Sequence, residues 1–114
     1  MSLNIKGIGT DISKVNRFSK YDVICRFLTE YELEIYRSYN NEKRMEYAAS
    51  RWSAKESFVK ASGKKSISFK DIEIRNDKQG KPYFVFNKNS EFTNIFLSIS
   101  HEREYVVTFV ILTL

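Results

Sequence analysis

The spacing of apolar residues changes at Gly63, and this change constrains the fold more than any other feature of the chain. The segment Lys43–Ser62 has the three- and four-residue spacing of an amphipathic helix, and a glycine such as Gly63 commonly ends a helix. After Gly63 apolar and polar residues alternate, as in strands, over four segments: Ser66–Arg75, Pro82–Asn87, Asn94–Ser100 and Tyr105–Leu114. Helices followed by consecutive strands predict an α+β fold whose largely antiparallel sheet packs on the long helix.

The N-terminal third adds one strand and two short helices. Apolar and polar residues alternate over Leu3–Ile8, and two glycines, Gly7 and Gly9, lie at the end of this stretch before Asp11. This pattern predicts a strand that ends near Asp11 and either turns sharply or approaches a bulky group closely. Ser13 is placed to cap a short helix, and Thr29–Glu32 matches the capping box of a second one. The predicted order of elements is therefore β-α-α-α-β-β-β-β.

Composition indicates one globular domain over residues 1–114, because 42% of the residues are hydrophobic and 15% are aromatic. No apolar run approaches the ~20 residues that cross a bilayer, and Met1–Lys6 lacks the order of a secretory signal, so we expect a cytoplasmic protein without a membrane partner. With a single cysteine, Cys25, and a single histidine, His101, neither a disulfide nor a zinc cluster is available. Any metal ion must therefore have oxygen ligands.

A carboxylate interrupts the apolar face of the long helix. Five residues at helical spacing share one stripe: Met45, Ala49, Trp52, Glu56 and Val59. An unpartnered carboxylate out of water is costly, so Glu56 requires a cation, a hydrogen-bond network or a metal ion. A structural salt bridge to Lys60 or Arg51 would satisfy it. If Asp11 approaches Glu56 instead, the two like charges require a bridging divalent ion, and Mg²⁺ held jointly with phosphates fits so few oxygen ligands.

Two motifs resemble those of the 4′-phosphopantetheinyl transferases, in their small single-domain form. They are Gly7-Ile8-Gly9-Thr10-Asp11 near the N-terminus and Arg51-Trp52-Ser53-Ala54-Lys55-Glu56-Ser57-Phe58-Val59-Lys60 in the long helix. Further matches follow in family order: Arg26–Thr29, Phe69–Ile74, Gly80–Pro82, and Ser98–His101 with Tyr105 after it. The resemblance therefore extends over nearly the whole chain.

The resemblance implies transfer of 4′-phosphopantetheine from coenzyme A to a serine hydroxyl of an acyl carrier protein, with release of adenosine 3′,5′-bisphosphate. It implies a Mg²⁺ ion bound by Asp11 and Glu56, with Lys60 placed to meet the same phosphates. The base that removes the serine proton is either Glu56 or a metal-bound water.

The resemblance also places Arg51, Arg44 and His101 near the nucleotide end of coenzyme A, with the ribose 3′-phosphate as the anion. For His101 a turn position between two strands is the alternative. Lys64, just beyond the long helix, replaces backbone phosphate contacts in this interpretation, and a solvated loop lysine is the alternative.

The basic segment Ser13–Leu28, predicted as a helix, corresponds to the family's docking surface for an acidic carrier protein, with Arg17, Lys20 and Arg26 as its cations. A solvated helix face is the other interpretation of such a charge run. Family members of this size are homotrimers. In Tyr105–Leu114 apolar residues occupy both odd- and even-numbered positions, so both faces of the predicted strand require burial, which agrees with that expectation.

Two other classes of protein compete with the transferase. A small nucleic-acid-binding module would suit the net charge of +5 and the many aromatic residues, but Phe84 and Phe86 resemble ordinary core positions, and we expect no nucleic-acid partner. A catalytically silent relative that only binds the carrier protein is the second, and the presence of Asp11, Glu56 and Lys60 argues against it.

Overall fold

A computed structural model describes residues 4–87 and 94–114 of the chain, so the predicted strand start at Leu3 lies outside the described residues. The helices and strands follow the predicted order: β1 (Ile5–Lys14), α1 (Tyr21–Ile24), α2 (Glu30–Ser38), α3 (Asn41–Ser62), β2 (Ile72–Asn76), β3 (Pro82–Phe86), β4 (Asn94–His101) and β5 (Tyr105–Thr113). The α+β prediction is confirmed. The antiparallel strands form two sheets, one of β1, β5 and β4 in that order and one of β2 and β3. Within the described residues, no helix is long and apolar enough to cross a membrane.

The helix ends follow the local sequence signals. Thr29 and Glu32 form the predicted capping box at the start of α2, with the Glu32 N–H donating to Thr29 Oγ1 at 3.2 Å and the Thr29 N–H donating to Glu32 Oε1 at 3.0 Å. Gly63 ends α3 in the left-handed region, at a φ of 71°, where glycine is favoured.

The two glycines of β1 allow the strand to lie directly against α3. A Cβ atom on Gly7 would fall 1.8 Å from the Ala61 carbonyl oxygen, and one on Gly9 would fall 1.9 Å from the Ser57 carbonyl oxygen. The predicted close approach is therefore confirmed. The predicted strand end is wrong, because β1 pairs with β5 past Asp11 as far as Lys14.

The segment Ser13–Leu28 is not one helix. Ser13 belongs to β1, where its hydroxyl donates to Asp11 Oδ2 at 2.9 Å and caps no helix. A single 3₁₀ turn, Val15–Arg17, and the four-residue α1 follow it. The basic residues of this segment therefore lie on a series of turns.

The strand predicted from Ser66 begins only at Ile72. The Ser68 hydroxyl accepts a hydrogen bond from the Lys70 N–H at 3.3 Å and starts a 3₁₀ turn over Phe69–Asp71. Serine side chains that bond the local backbone in this way compete with strand pairing.

The face of α3 that is most deeply buried differs from the predicted stripe. Trp52, Glu56 and Val59 are only half-buried, whereas Ala54 and Lys55 are fully enclosed. The reason is that the small side chains of α3 face the glycines of β1, which rotates the apolar stripe to the rim of the interface. Ala49 of the predicted stripe is fully buried, whereas the part from Trp52 to Val59 forms a boundary of the core, with Glu56 at its edge.

Lys55 and Glu32 form a buried ion pair at a junction of four segments. Lys55 Nζ donates to Glu32 Oε1 at 2.7 Å, to the Phe27 carbonyl at 2.7 Å and to the Phe69 carbonyl at 3.0 Å. Glu32 Oε2 accepts from the Ile74 N–H at 2.8 Å. Burial lowers the pKa of the Lys55 ammonium, and the Glu32 carboxylate partly offsets that effect. Lys55 thus joins helices and sheet in the core and does not face a ligand.

Two of the three aromatic residues of β3 pack against the core, and the third, Tyr83, is exposed. Phe84 and Phe86 pack on Phe58 of α3, with ring centroids 5.5 and 5.0 Å from the Phe58 centroid. Rings engaged in this way are not a platform for stacking bases, in agreement with the interpretation of these residues as core positions.

Candidate functional site

Asp11 and Lys60 meet where β1 crosses α3. Lys60 Nζ lies 3.3 Å from Asp11 Oδ1 and donates to the Thr10 carbonyl at 3.0 Å. Ser13 Oγ holds the second carboxylate oxygen, and the Asp11 side chain is only 12% exposed. Asp11 is therefore fixed in orientation, on the sheet face that is turned toward the helix.

A polar network fixes the distance between β1, β5 and α3. The Thr108 hydroxyl lies 2.6 Å from the Ser57 hydroxyl and 2.9 Å from the Ser53 hydroxyl, and all three side chains are buried. Small residues of this kind allow a helix to approach a sheet closely, as the glycines do. Glu56, which precedes Ser57 on α3, lies at the rim of this contact.

Glu56 is a half-buried carboxylate without an ion pair or hydrogen bond to any residue of the described parts of the chain. Burial raises its pKa, the negative charge of Asp11 raises it further, and the charges of Lys60 and Arg17 oppose the rise. Neither salt bridge suggested from the sequence forms, because Lys60 pairs with Asp11 and Arg51 bonds Asn76. Two carboxylates therefore repel each other at this site, which is the arrangement that a divalent cation relieves.

Arg51 is a buried cation whose bonded partners are neutral. The residue is 6% exposed, and its guanidinium donates to Asn76 Oδ1 at 2.6 Å and to Ser50 Oγ at 3.0 Å. Its Cζ lies 4.1 Å from the centroid of the Tyr47 ring. It forms no ion pair with any described carboxylate, and its Nε has no hydrogen-bond partner there. A cation taken out of water without an anion indicates a site for an anionic ligand.

Arg51 lines a cleft of about 250 Å³ between α3 and the β2–β3 hairpin, which we call the basic cleft. Its polar and charged lining includes Lys43, Glu46, Tyr47, Arg51, Asn76 and His101. The predicted pair of Arg51 and His101 is thus brought together, with His101 at the last position of β4. Sequence reasoning missed three of these residues, Lys43, Tyr47 and Asn76. Lys43 and Tyr47 lie at helical spacing from Arg51, which was their only signal, and Asn76 had none.

Arg44 and Lys64 are not among the residues that line the basic cleft. Arg44 donates to the Tyr36 carbonyl at 3.1 Å and to the Arg37 carbonyl at 2.8 Å, which stabilises the C-terminal end of α2. The Lys64 N–H donates to Ser62 Oγ just beyond α3. Neither residue therefore joins Arg51 and His101 in lining the basic cleft.

The basic segment borders an apolar depression on the surface. Arg17, Lys20 and Arg26 are all exposed. Arg26 lines a depression of about 360 Å³, which we call the apolar hollow, whose other walls are Val23, Phe27, Trp52 and Phe69. Because Trp52 and Glu56 are one turn apart on α3, the apolar hollow lies next to the carboxylate site.

The face of the three-stranded sheet that points away from α3 is apolar and exposed. Six of its large side chains are at least two-fifths exposed: Ile8, Ile12, Phe96, Tyr105, Val107 and Phe109. The register places Ile12 opposite Val107, so these side chains form a continuous surface across the strands. The expectation of apolar residues on both faces of β5 is therefore confirmed.

The comparisons with known proteins agree over almost the whole chain. The sequence profile of the 4′-phosphopantetheinyl transferase superfamily matches residues 7–110. A holo-[acyl-carrier-protein] synthase from a Wolbachia of Drosophila simulans is 45% identical over 95% of this chain and 98% of its own length, and one from Bacillus subtilis is 37% identical over 95% of each.

Solved structures give the same result. A holo-(acyl-carrier-protein) synthase from Bacillus anthracis in complex with CoA (3′,5′-ADP) superimposes with a TM-score of 0.88 at 38% identity, and the match covers 98% of both chains. The holo-ACP-synthase of Plasmodium yoelii superimposes with a TM-score of 0.85 at 32% identity, over 99% of this chain and 98% of that one.

Proposed function

The chain belongs to the 4′-phosphopantetheinyl transferase superfamily, and we propose that it acts as a holo-[acyl-carrier-protein] synthase. It transfers 4′-phosphopantetheine from coenzyme A to a serine hydroxyl of apo-acyl carrier protein and releases adenosine 3′,5′-bisphosphate. The observation that carries this conclusion is the similarity over almost the full length to enzymes of that name, one of them 45% identical. The carboxylate pair of Asp11 and Glu56 and, separately, the basic cleft around Arg51 supply groups that suit this chemistry.

Asp11 and Glu56 are proposed to hold a Mg²⁺ ion together with the pyrophosphate of coenzyme A. Their oxygens are the hard ligands that Mg²⁺ prefers, and the unpartnered, half-buried Glu56 carboxylate beside Asp11 fits such an ion. The described residues hold no cluster of three or more metal-ligating side chains, and the remaining ligands are proposed to come from substrate and water. Bound there, the ion neutralises negative charge on the phosphates.

Lys60 is proposed to bind the same phosphates. Its side chain is 53% exposed, and its ammonium bonds the Asp11 carboxylate and the Thr10 carbonyl, so Lys60 is oriented toward the carboxylate site and still open to a ligand. A cation at this position stabilises the charge that builds up as the bond to the nucleotide breaks. The two candidate bases for the serine proton are Glu56 and a metal-bound water.

The nucleotide end of coenzyme A is proposed to occupy the basic cleft. Arg51, whose charge has no anionic partner among the described residues, and His101 supply contacts for the 3′-phosphate, and Lys43 adds a second cation to the same wall. Arg44 and Lys64 stay as predictions for phosphate contacts.

The carrier protein is proposed to dock on the basic segment and the apolar hollow together. Exposed arginine and lysine side chains attract the acidic protein, while Val23, Phe27 and Trp52 offer apolar contact area next to the carboxylate site. This arrangement would deliver the carrier serine to the pyrophosphate that Asp11 and Glu56 hold.

A homotrimer is proposed to cover the exposed sheet face. Ile12 is 63% exposed and Val107 is 42% exposed, and a contiguous apolar face of this kind marks an interface. Subunits that meet through this face would bring residues of a neighbour toward each active site. We further propose a cytoplasmic location, in agreement with the free thiol of Cys25.

A transfer assay tests the function and the carboxylate assignment together. Wild-type protein, coenzyme A, Mg²⁺ and apo-acyl carrier protein should yield a phosphopantetheine adduct in the mass spectrum, and absence of the adduct would favour the silent carrier-binding relative. We expect Asp11→Asn and Glu56→Gln to abolish transfer with an unchanged circular dichroism spectrum. Glu34→Gln removes an exposed carboxylate away from the site and should behave as wild type. Transfer by both site variants in chelator would contradict the metal assignment.

A further inference from the structure

Asn76 is the residue through which the β2–β3 hairpin contacts Arg51. Its Oδ1 accepts from Arg51 Nη2 at 2.6 Å, and its Nδ2 donates to the Gly80 carbonyl at 2.9 Å. Asn76 and Gly80 both line the basic cleft, so one side chain ties the buried guanidinium to the opposite wall.

We infer that Asn76 is a positioning residue, which orients the Arg51 guanidinium for an anionic group of the nucleotide without neutralising its charge. The inference depends on the proposed binding of coenzyme A in the basic cleft. Neither the family motifs nor the sequence signals assigned a role to Asn76.

The chemistry of the amide is what makes this role possible. A guanidinium has five N–H donors, and Arg51 uses two of them, on Asn76 and Ser50. An amide oxygen accepts one bond and adds no negative charge beside the cation, whereas a carboxylate at the same position would form a charge-assisted pair and compete with a phosphate. A neutral acceptor therefore fixes the geometry of Arg51 and preserves its attraction for an anion.

The hairpin turn itself does not depend on the Asn76 side chain alone. Asp77 Oδ1 accepts from the Gln79 and Lys81 N–H groups, both at 2.9 Å, and the Gly80 N–H donates to the Asp77 carbonyl. Asp77 does not line the cleft. Asp77→Ala is therefore a matched control, which weakens the same turn and leaves Arg51 and its acceptor in place.

The test compares Asn76→Ala, Asn76→Asp and Asp77→Ala in three measurements. These are the KM values for coenzyme A and for carrier protein, the Kd for adenosine 3′,5′-bisphosphate by calorimetry, and the thermal midpoint. We expect Asn76→Ala to raise the KM for coenzyme A and the Kd about tenfold, which is the scale of one hydrogen bond to a charged group. The KM for carrier protein should stay within twofold.

Asn76→Asp separates positioning from structural support. A carboxylate beside the buried Arg51 should hold or raise the thermal midpoint, and yet it should weaken nucleotide binding at least as much as Asn76→Ala. In an Arg51→Met background, Asn76→Ala should have no further effect on the Kd, because the two residues act as one unit.

Three results would overturn the inference. They are a Kd for Asn76→Asp equal to that of wild type, an equal loss of affinity in Asp77→Ala, and an additive effect in the Arg51→Met background. Failure of the wild-type protein to transfer phosphopantetheine would instead refute the proposed function, and the calorimetric comparison would still report on Asn76 and Arg51.

Discussion

Replacement of Lys55 by methionine should destabilise the fold without disturbing the active site, although Lys55 directly precedes Glu56 in the long-helix motif. Both side chains of the Lys55–Glu32 pair are 0% exposed. Methionine preserves most of the volume of lysine and removes the ammonium. The Glu32 carboxylate then remains buried with only the N–H groups of Thr29 and Ile74 as donors.

The expected loss is about 3–5 kcal/mol, the range for breaking a buried pair from one side. Two carbonyl groups, of Phe27 and Phe69, lose a donor in addition, which places the loss in the upper part of that range. For a domain of this length the loss corresponds to a fall in Tm of roughly 10–20 °C.

The assay is urea and thermal denaturation followed by circular dichroism, with all variants at one protomer concentration, because unfolding of an oligomer depends on concentration. The double variant Lys55→Met/Glu32→Gln removes both charges and should recover at least half of the loss. At 15 °C the KM of the folded Lys55→Met protein for coenzyme A should match that of wild type.

A loss below about 1 kcal/mol in Lys55→Met would refute the reasoning, since it would mean that the buried carboxylate needs no counter-ion. A double variant as unstable as the sum of the single ones would refute it as well. A raised KM at unchanged stability would move Lys55 from the core to the ligand site.

Four further outcomes follow from the structure. The double variant Lys20→Glu/Arg26→Glu should raise the KM for carrier protein and leave the KM for coenzyme A unchanged, and 0.5 M salt should have the same effect on the wild-type protein. Equal changes in the two KM values would place these cations in the nucleotide site. Gly9→Ala should lower the free energy of unfolding, measured by chemical denaturation, by about 3 kcal/mol, because the alanine methyl group would clash with the Ser57 carbonyl of α3. An unchanged free energy of unfolding would contradict that contact. With chelator present, Glu56→Gln should be more stable than wild type at pH 8. The pKa of Glu56 is higher in the folded protein than in the unfolded chain, so its neutral form stabilises the fold. This stabilisation is complete below pH 4.5 and is lost as the pH rises. Equal stabilities of wild type and Glu56→Gln at pH 8 would contradict this direction. Val107→Glu should give a smaller particle in light scattering across a dilution series, and a wild-type monomer with full specific activity would rule out the trimer.

The sequence alone was sufficient for features that depend on neighbours along the chain. The capping box at Thr29, the helix end at Gly63 and the β2–β3 hairpin each arise from local hydrogen bonds or local backbone preference, and the structure contains all three. The order of elements followed from hydrophobic periodicity for the same reason. The family resemblance indicated the reaction, because the motifs of the strand and the long helix are specific in combination.

Only the tertiary structure decided which charged groups of α3 lie inside. Lys55 and Glu56 are adjacent in sequence and about 100° apart around the helix, so a pattern of apolar residues cannot say which of them meets the core. The glycines of β1 set the rotation of α3, and that rotation buries Lys55 against Glu32 and leaves Glu56 at the rim beside Asp11.

The basic cleft likewise depended on folding. Arg51 and Asn76 are 25 residues apart, and their hydrogen bond exists because the hairpin returns over the helix. Nothing in the local sequence of either residue predicts the other, since the contact is set by how the two-stranded sheet packs on α3. The residue types came from the sequence, whereas their distances, burial and partners came from the packing of a helix on two sheets.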